Sequence, residues 1–163
     1  MRYLHGVDEE NASVHIREAE KQAVLATCTR AKCGTVIVGN NHVIGLGFNS
    51  PPASMESQRR CTVDKSSYDK KVTDKTCCMH AEQRAILDAL TSNSNRVKGA
   101  TLYFARVDEN GKSKAAGKPY CTLCSKLALD VGISEFVLQD ENGICAYGTE
   151  EYNDISFNYK PEI

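Results

Sequence analysis

The hydrophobic and polar positions along the chain alternate in some segments and follow a helical repeat in others. β-Branched residues dominate 34–39, which predicts a strand, and the mostly apolar segment 42–48 predicts its partner. Asn40-Asn41 between them predicts the tight turn of a hairpin. In chain order the repeats predict a helix at 13–29, strands at 34–39 and 42–48, a helix at 80–90, a strand at 99–105, a helix at 121–131, a strand at 133–138, a short strand at 144–147 and a last helix in the tail. The helix at 121–131 lies between the strands at 99–105 and 133–138, so these two strands can pair in parallel through a right-handed crossover. The predicted fold class is therefore α/β, a mixed sheet with helices packed on its faces.

Residues 53–76 show neither the alternating nor the helical pattern. The segment is polar and lacks periodicity, which predicts a long loop of the kind that is usually functional or partly disordered. No internal repeat or linker divides the chain. We therefore expect a single domain over residues 1–163, with a core at about 13–147, an N-cap at Ser13 and an acidic C-terminal tail.

The composition is that of a soluble globular protein, with 41% hydrophobic and 25% charged residues. The net charge of −1 provides no general attraction to nucleic acid or to an anionic membrane. Neither an N-terminal apolar run nor a stretch of 18 apolar residues occurs, so we expect no membrane segment and a cytoplasmic location. The eight cysteines then indicate metal ligation for some and burial for the rest.

Two short motifs carry the chemistry, and each stands at the predicted start of a helix. Cys121 and Cys124 are separated by two residues, so both sulfurs lie on one helical turn and can reach one metal. The helix dipole favours their thiolate forms. His80 opens the earlier helix, and one imidazole with two thiolates makes a zinc site of three protein ligands that leaves a fourth position for water. The sequence therefore predicts Zn²⁺ on His80, Cys121 and Cys124.

Glu82 indicates what the predicted metal site does. It lies two positions after His80, near the metal but not needed as a ligand. Zinc lowers the pKa of its bound water enough to supply hydroxide near neutral pH. The Glu82 carboxylate can carry protons from that water to a ring nitrogen and later to the departing amine. The two motifs together resemble the His-x-Glu…Pro-Cys-x-x-Cys signature of zinc nucleobase deaminases, with Tyr120 inserted between Pro119 and Cys121.

Residues 34–138 resemble the cytidine and deoxycytidylate deaminase superfamily, most of all its deoxycytidylate (dCMP) deaminase branch. The segments that carry the resemblance are Gly47-Phe48-Asn49, Cys78-Met79-His80-Ala81-Glu82-Gln83-Arg84-Ala85-Ile86 and Gly99-Ala100-Thr101-Leu102-Tyr103. The resemblance implies a three-layer cytidine-deaminase-like fold, with a mixed central sheet between helices on both faces. It also implies the zinc ligands and proton shuttle named above, substrate binding by Asn49 and Ala81, and a homo-oligomer.

The leading functional hypothesis is hydrolytic deamination of a free cytosine-type nucleoside or nucleotide, a dCMP-like substrate of nucleotide metabolism. Zinc-bound hydroxide would attack the amino-bearing ring carbon. The alternative is a deaminase that acts on a base in single-stranded RNA or DNA, or on another amino-heterocycle such as guanine. A polynucleotide enzyme calls for a basic groove and stacking platforms, whereas this chain is near neutral with 7% aromatic residues and no tryptophan, so nucleic acid is not favoured.

A non-catalytic zinc domain is the third hypothesis. The presence of Glu82 argues against it, because a purely structural metal site gains nothing from that carboxylate. A fourth protein ligand that closed the zinc site would favour it instead.

The remaining cysteines have two interpretations. Cys61, Cys77 and Cys78 could form a second zinc site, but free thiols are favoured because Cys61 is distant in sequence and no histidine besides His80 lies near. For the other three, core packing is the better interpretation; they are Cys28, Cys33 and Cys145.

The long loop and two aromatic residues also leave alternatives open. The basic loop residues could contact a substrate phosphate, although a solvated loop face is favoured; they are Arg59, Arg60, Lys65, Lys70 and Lys71. Phe48 and Tyr120 could stack on a base or belong to the wall or the core.

Overall fold

The computed structural model describes residues 1–161, in which seven strands form one sheet and four α-helices pack against it. The strands are β1 (Arg2–Tyr3), β2 (Lys32–Gly39), β3 (His42–Phe48), β4 (Thr101–Val107), β5 (Ser113–Lys114), β6 (Glu135–Asp140) and β7 (Gly143–Gly148). The α-helices are α1 (Val7–Val24), α2 (Ala81–Asn93), α3 (Thr122–Asp130) and α4 (Thr149–Phe157). Residues 162 and 163 of the predicted tail lie outside the described residues.

The sheet is mixed. Its strand order is β1-β7-β6-β4-β2-β3, and the short β5 pairs with the end of β4. β4 and β6 run parallel, with Thr101 opposite Glu135, and the other described pairs are antiparallel. The predicted parallel pairing across α3 is thus confirmed.

Apolar side chains project from both faces of the sheet and form two clusters with the helices that cover those faces. The fold therefore has three layers. On one face, Ile16 of α1 packs with Val36 and Val137. On the other face, Ile86 of α2 packs with residues such as Leu102, and the clusters share no residue. The predicted α/β class, with a mixed sheet and helices on its faces, is confirmed.

The helix α4 closes the second cluster at one end of the molecule. The ring of Tyr152 stacks on the ring of Phe136 with centroids 4.0 Å apart, and Tyr147 meets Tyr152 edge-on at 5.6 Å. Such aromatic pairs add to the burial of apolar area. The last helix predicted in the tail is therefore present, and it contributes to the core.

The first helix was predicted in the wrong place. It begins at Val7 rather than residue 13, ends at Val24 rather than residue 29, and its N-cap is Gly6 rather than Ser13. The first turn carries three acids, Asp8, Glu9 and Glu10, whose charges are favourable at the positive end of a helix. Within residues 1–161, no helix has the length and apolarity needed to cross a bilayer.

Two glycines of β3 allow the helix α2 to lie unusually close to the sheet. A Cβ at Gly47 would stand 2.1 Å from the carbonyl oxygen of Ala81, and one at Gly45 would stand 2.3 Å from that of Ala85. Backbone atoms cannot yield to such contacts in the way that the end of a flexible side chain can. The bare β3 surface therefore fixes the position of the start of α2.

We expect Gly47→Ala to lower the free energy of unfolding by about 1–3 kcal/mol, because overpacking forces the start of α2 away from β3. Gly148→Ala is the matched control, since a Cβ there would meet no atom within 4 Å and its backbone is extended. Chemical denaturation followed by circular dichroism measures both. Equal stability of the two variants would show that α2 can move without cost.

Candidate metal centre

The structure brings together three side chains from two helix starts. His80 Nδ1 lies 3.2 Å from Cys121 Sγ and 3.2 Å from Cys124 Sγ, and the two sulfurs are 3.2 Å apart. All three are half-buried or buried. The residues predicted as metal ligands from sequence therefore meet at one point.

Local backbone structure explains this convergence. His80 is the N-cap of α2, and its backbone N–H donates to Oε1 of Gln83 at 3.0 Å. Cys121 is the N-cap of α3, where its sulfur accepts from the backbone N–H of Cys124 at 3.5 Å. Cap residues hold a fixed orientation relative to their helix. The two caps thus aim an imidazole and a thiol at each other.

Short contacts within this group shift its pKa values strongly. The hydrogen bond from the Cys124 thiol, together with His80, lowers the pKa of Cys121 to about 4. The hydrogen bond to Cys121 raises the pKa of His80 to about 9. Cys121 is consequently a thiolate at neutral pH, the form that binds metals, and a metal that takes the place of the imidazole proton would release it.

Glu82 lies beside this group, in the first turn of α2. It is only 6% exposed, and its carboxyl is close enough to the Cys124 thiol for the two groups to affect each other's pKa. Burial raises the pKa of the Glu82 carboxyl above its usual value. Ala81, fully buried, begins the same helix, where backbone N–H groups have no intrahelical partner.

The group forms the floor of a cavity of about 200 Å³. Of the predicted site residues, His80, Ala81, Glu82, Cys121 and Asn49 all line it. Cys124 lies behind Cys121 and is fully buried. The structure thus gathers every site residue that the sequence predicted around one cavity.

The side chain of Asn49 is held by the backbone around β2. Its Oδ1 accepts from the N–H of Cys33 at 2.9 Å, and its Nδ2 donates to the carbonyl of Ala31 at 2.8 Å. Each amide atom keeps one further hydrogen-bonding position. Asn49, 7% exposed, is therefore a fixed part of the cavity wall, and its substrate contact stays a prediction.

The two aromatic candidates have different positions. The ring of Phe48 lies under the guanidinium of Arg84, 5.5 Å from its centroid, and is not part of the cavity lining. Of the alternatives left open for Phe48, its position outside the cavity lining favours packing over stacking on a base. Tyr120 lines the cavity, is 60% exposed and lies against the ring of Tyr159, with centroids 5.6 Å apart.

The basic loop residues also divide into two groups. Arg60 and Lys65 line the cavity, whereas Lys70 and Lys71 are exposed away from it and Arg59 pairs with Glu56 at 2.7 Å. Sequence reasoning missed four further basic residues of the cavity wall, namely Arg30, Lys75, Arg106 and Lys118. Two of them had a sequence signal: Lys75 stands shortly before the motif of His80, and Lys118 shortly before that of Cys121.

The interpretation of the other cysteines needs correction. Cys145 is buried in the core as predicted, but Cys28 and Cys33 are only half-buried and line the cavity. Cys28 follows the end of α1 instead of belonging to a helix. Cys61 is distant in sequence from the adjacent pair Cys77 and Cys78, but the structure brings the three together in a second group.

The donor set at His80, Cys121 and Cys124 fits zinc. Zinc accepts one imidazole and two thiolates, and three protein ligands leave a fourth position for water or substrate. Glu82 adds a carboxyl group to the same part of the cavity lining. The chemistry of this floor is that of a metal-assisted hydrolysis site.

Comparison with known proteins defines the class to which this site belongs. Residues 9–140 match the sequence model of the cytidine and deoxycytidylate deaminase zinc-binding region. The chain belongs to this family. It is a zinc-dependent hydrolytic deaminase, and zinc is its cofactor.

A relative in the family supports the same class. The deoxycytidylate deaminase of Mycobacterium phage D29 is 29% identical over 130 residues, which cover 76% of this chain and 90% of the phage protein.

Solved structures match the fold. The dCMP deaminase of cyanophage S-TIM5 in its apo form is 18% identical, with a TM-score of 0.60 over 91% of each chain. The complex of that enzyme with dCMP and dUMP gives 21% identity and a TM-score of 0.57, covering 80% of this chain and 82% of the other. The three-layer cytidine-deaminase-like fold is thereby confirmed.

Proposed function

We propose that this protein hydrolyses the amino group from the cytosine of a free deoxycytidylate-type nucleotide, so that dCMP and water give dUMP and ammonia. One observation carries the proposal: the buried Glu82 carboxyl adjoins the ligand group at the floor of a cavity with several basic residues in its wall. The residues of the floor would carry out the hydrolysis, and the basic residues of the wall would bind the phosphate of the substrate.

In this proposal His80, Cys121 and Cys124 hold the zinc. When bound, zinc acidifies a water molecule so that hydroxide is available near neutral pH. Cys124 is buried and the other two ligands are half-buried, which limits the access of bulk water to the reaction.

Glu82 moves two protons. Its carboxylate takes one from the attacking water and delivers it to ring nitrogen N3 while the water oxygen bonds to C4. It then takes the proton of the new C4 hydroxyl and passes it to the amino group, which leaves as ammonia as the carbonyl forms. Burial, which raises the pKa of Glu82, helps the carboxyl to hold each proton between transfers.

The cavity wall supports a nucleotide rather than a bare base. A cavity of about 200 Å³ suits one small ligand, and the phosphate of dCMP would find Arg60, Lys65 and Lys75 in the wall. The name of the phage D29 relative and the dCMP and dUMP bound to the cyanophage enzyme agree with this substrate class.

A substrate panel tests the proposal. Ammonia release is measured for dCMP, deoxycytidine, cytosine, guanine and a single-stranded oligonucleotide. We expect kcat/KM for dCMP to exceed that for deoxycytidine by about 10- to 100-fold, the effect of one charged hydrogen bond. A preference for the oligonucleotide or for guanine would refute the proposed substrate but not the reaction.

Lys75→Gln tests the phosphate contact within that panel. We expect KM for dCMP to rise about tenfold, because a charge-assisted hydrogen bond is lost, and KM for deoxycytidine to stay the same. Lys71→Gln is the matched control, since Lys71 is exposed and outside the cavity wall. Equal effects of Lys75→Gln on both substrates would show that Lys75 does not contact a phosphate.

Three expectations from the sequence stay predictions. They are the homo-oligomer implied by the family resemblance, the cytoplasmic location and the single domain over residues 1–163. Light scattering of the purified chain measures the first of them.

A further inference from the structure

Four cysteines other than the proposed zinc ligands Cys121 and Cys124 lie together in one part of the cavity lining. The sulfurs of Cys61, Cys77 and Cys78 all lie within 4.8 Å of one another. Cys28 lines the same cavity as these three residues. Three chain segments, the α1–β2 connection, the long loop and the stretch before His80, thus contribute thiols to one place.

The spacing of these sulfurs suits a shared metal better than a disulfide. The Sγ atoms of Cys61 and Cys77 are 3.6 Å apart, and all four residues are free cysteines. A disulfide bond needs about 2.05 Å. Thiolates that surround zinc at about 2.3 Å in a tetrahedron lie about 3.8 Å from one another.

Hydrogen-bond donors and positive charge surround the cysteine group. The backbone N–H of Arg60 donates to Cys77 Sγ at 2.8 Å, and Arg59 Nη1 donates to Cys61 Sγ at 3.5 Å. Arg30 Nη2 donates to the carbonyl of Cys61 at 3.3 Å. Four thiolates around a divalent ion carry a net charge of −2, which these neighbouring guanidinium groups offset.

The group also lies where the chain lacks other support. Residues 53–76 are mostly exposed, contain no strand or α-helix and include no buried residue. A segment with so little apolar burial needs another source of order. A metal shared by Cys61, Cys77 and Cys78 would tie this loop to the segment that ends at His80.

We propose that Cys61, Cys77 and Cys78, joined by Cys28 from the adjacent part of the cavity lining, bind a second divalent metal of the zinc type, with a structural role. Binding forms four metal–sulfur bonds, releases the thiol protons and involves no oxidation. Four protein ligands close the coordination shell and leave no position for water, so this site performs no hydrolysis. Soft thiolates select zinc over magnesium or calcium.

Metal analysis of the full-length protein tests the proposal without any substrate, so the outcome is independent of the proposed function. Atomic emission is expected to give about two zinc ions per chain. The double variant Cys61→Ser/Cys77→Ser is expected to lose about one, and Cys145→Ser, whose thiol is buried elsewhere, is expected to lose none. One zinc per chain in the wild type, or two in the double variant, would overturn the second site.

Two measurements on the wild type remove the risk that the double variant fails to fold. Alkylation followed by peptide mass spectrometry should leave Cys61 and Cys77 unmodified until a strong chelator is added. Substitution by cobalt should add thiolate-to-cobalt charge-transfer absorption beyond that of a site with two thiolates. Rapid alkylation before chelation, or a mass two hydrogens low from a disulfide, would contradict the proposal.

Discussion

Glu82→Gln is expected to lower kcat by about 10²- to 10⁴-fold while the zinc content stays at the wild-type value, because the amide cannot take up and return a proton. Glutamine keeps the shape of the side chain and leaves the donor set intact. The midpoint of thermal unfolding should be unchanged or higher, since the cost of burying a carboxylate disappears. Steady-state kinetics with dCMP, atomic emission and calorimetry measure the three quantities.

Glu109→Gln controls for the loss of an acidic residue, because Glu109 is exposed in the β4–β5 turn. It should leave kcat within experimental error. A Glu82→Gln variant with wild-type turnover would disprove the proton-transfer role of Glu82.

His80→Ala is expected to abolish measurable turnover and to lower the zinc content by about one ion per chain. The imidazole is one of three ligands, and two thiolates alone leave the metal weakly held. Part of the stability goes with the metal, because the free energy of metal binding contributes to folding. Atomic emission and thermal unfolding with and without added zinc measure these changes.

His5→Ala is the control, since His5 is exposed and apart from both cysteine groups. It should retain the wild-type metal content. Unchanged zinc in His80→Ala would refute the ligand assignment, whereas loss of zinc with retained turnover would refute the role of the metal in the reaction.

The floor of the site was predictable from sequence because its geometry is local. His80 and Glu82 belong to one helix start, and Cys121 and Cys124 belong to another, so residue spacing alone sets most of their relative positions. The match to a known signature then brought the two halves together.

The wall of the site was predictable only in part, because it depends on tertiary contacts between distant segments. Arg30 comes just before β2, and Arg106 lies near the end of β4. The antiparallel pairing of Cys33 with Arg106 brings these two distant segments together at the cavity, and nothing in the neighbouring sequence indicates this. The alternatives for Phe48 stayed open because the sequence does not show that Arg84 lies over its ring.

The elements missed or displaced have equally physical causes. β1 and β5 contain two residues each, too few for an alternating pattern, and pairing with β7 and β4 creates them. The start of α1 was misplaced because its polar, acidic first turn lacks the apolar spacing that identified the rest. Tertiary pairing and the helix dipole prevailed over local pattern.

The glycines at 45 and 47 have a consequence for engineering. Because bare backbone on β3 seats the start of α2, the reactive groups depend on this contact and not on the length of the chain that connects the two elements. Connecting loops carried by a rigid scaffold tolerate exchange. Replacing the loop between β3 and α2 by that of another deaminase should therefore change which substrates enter the cavity without moving the reactive groups.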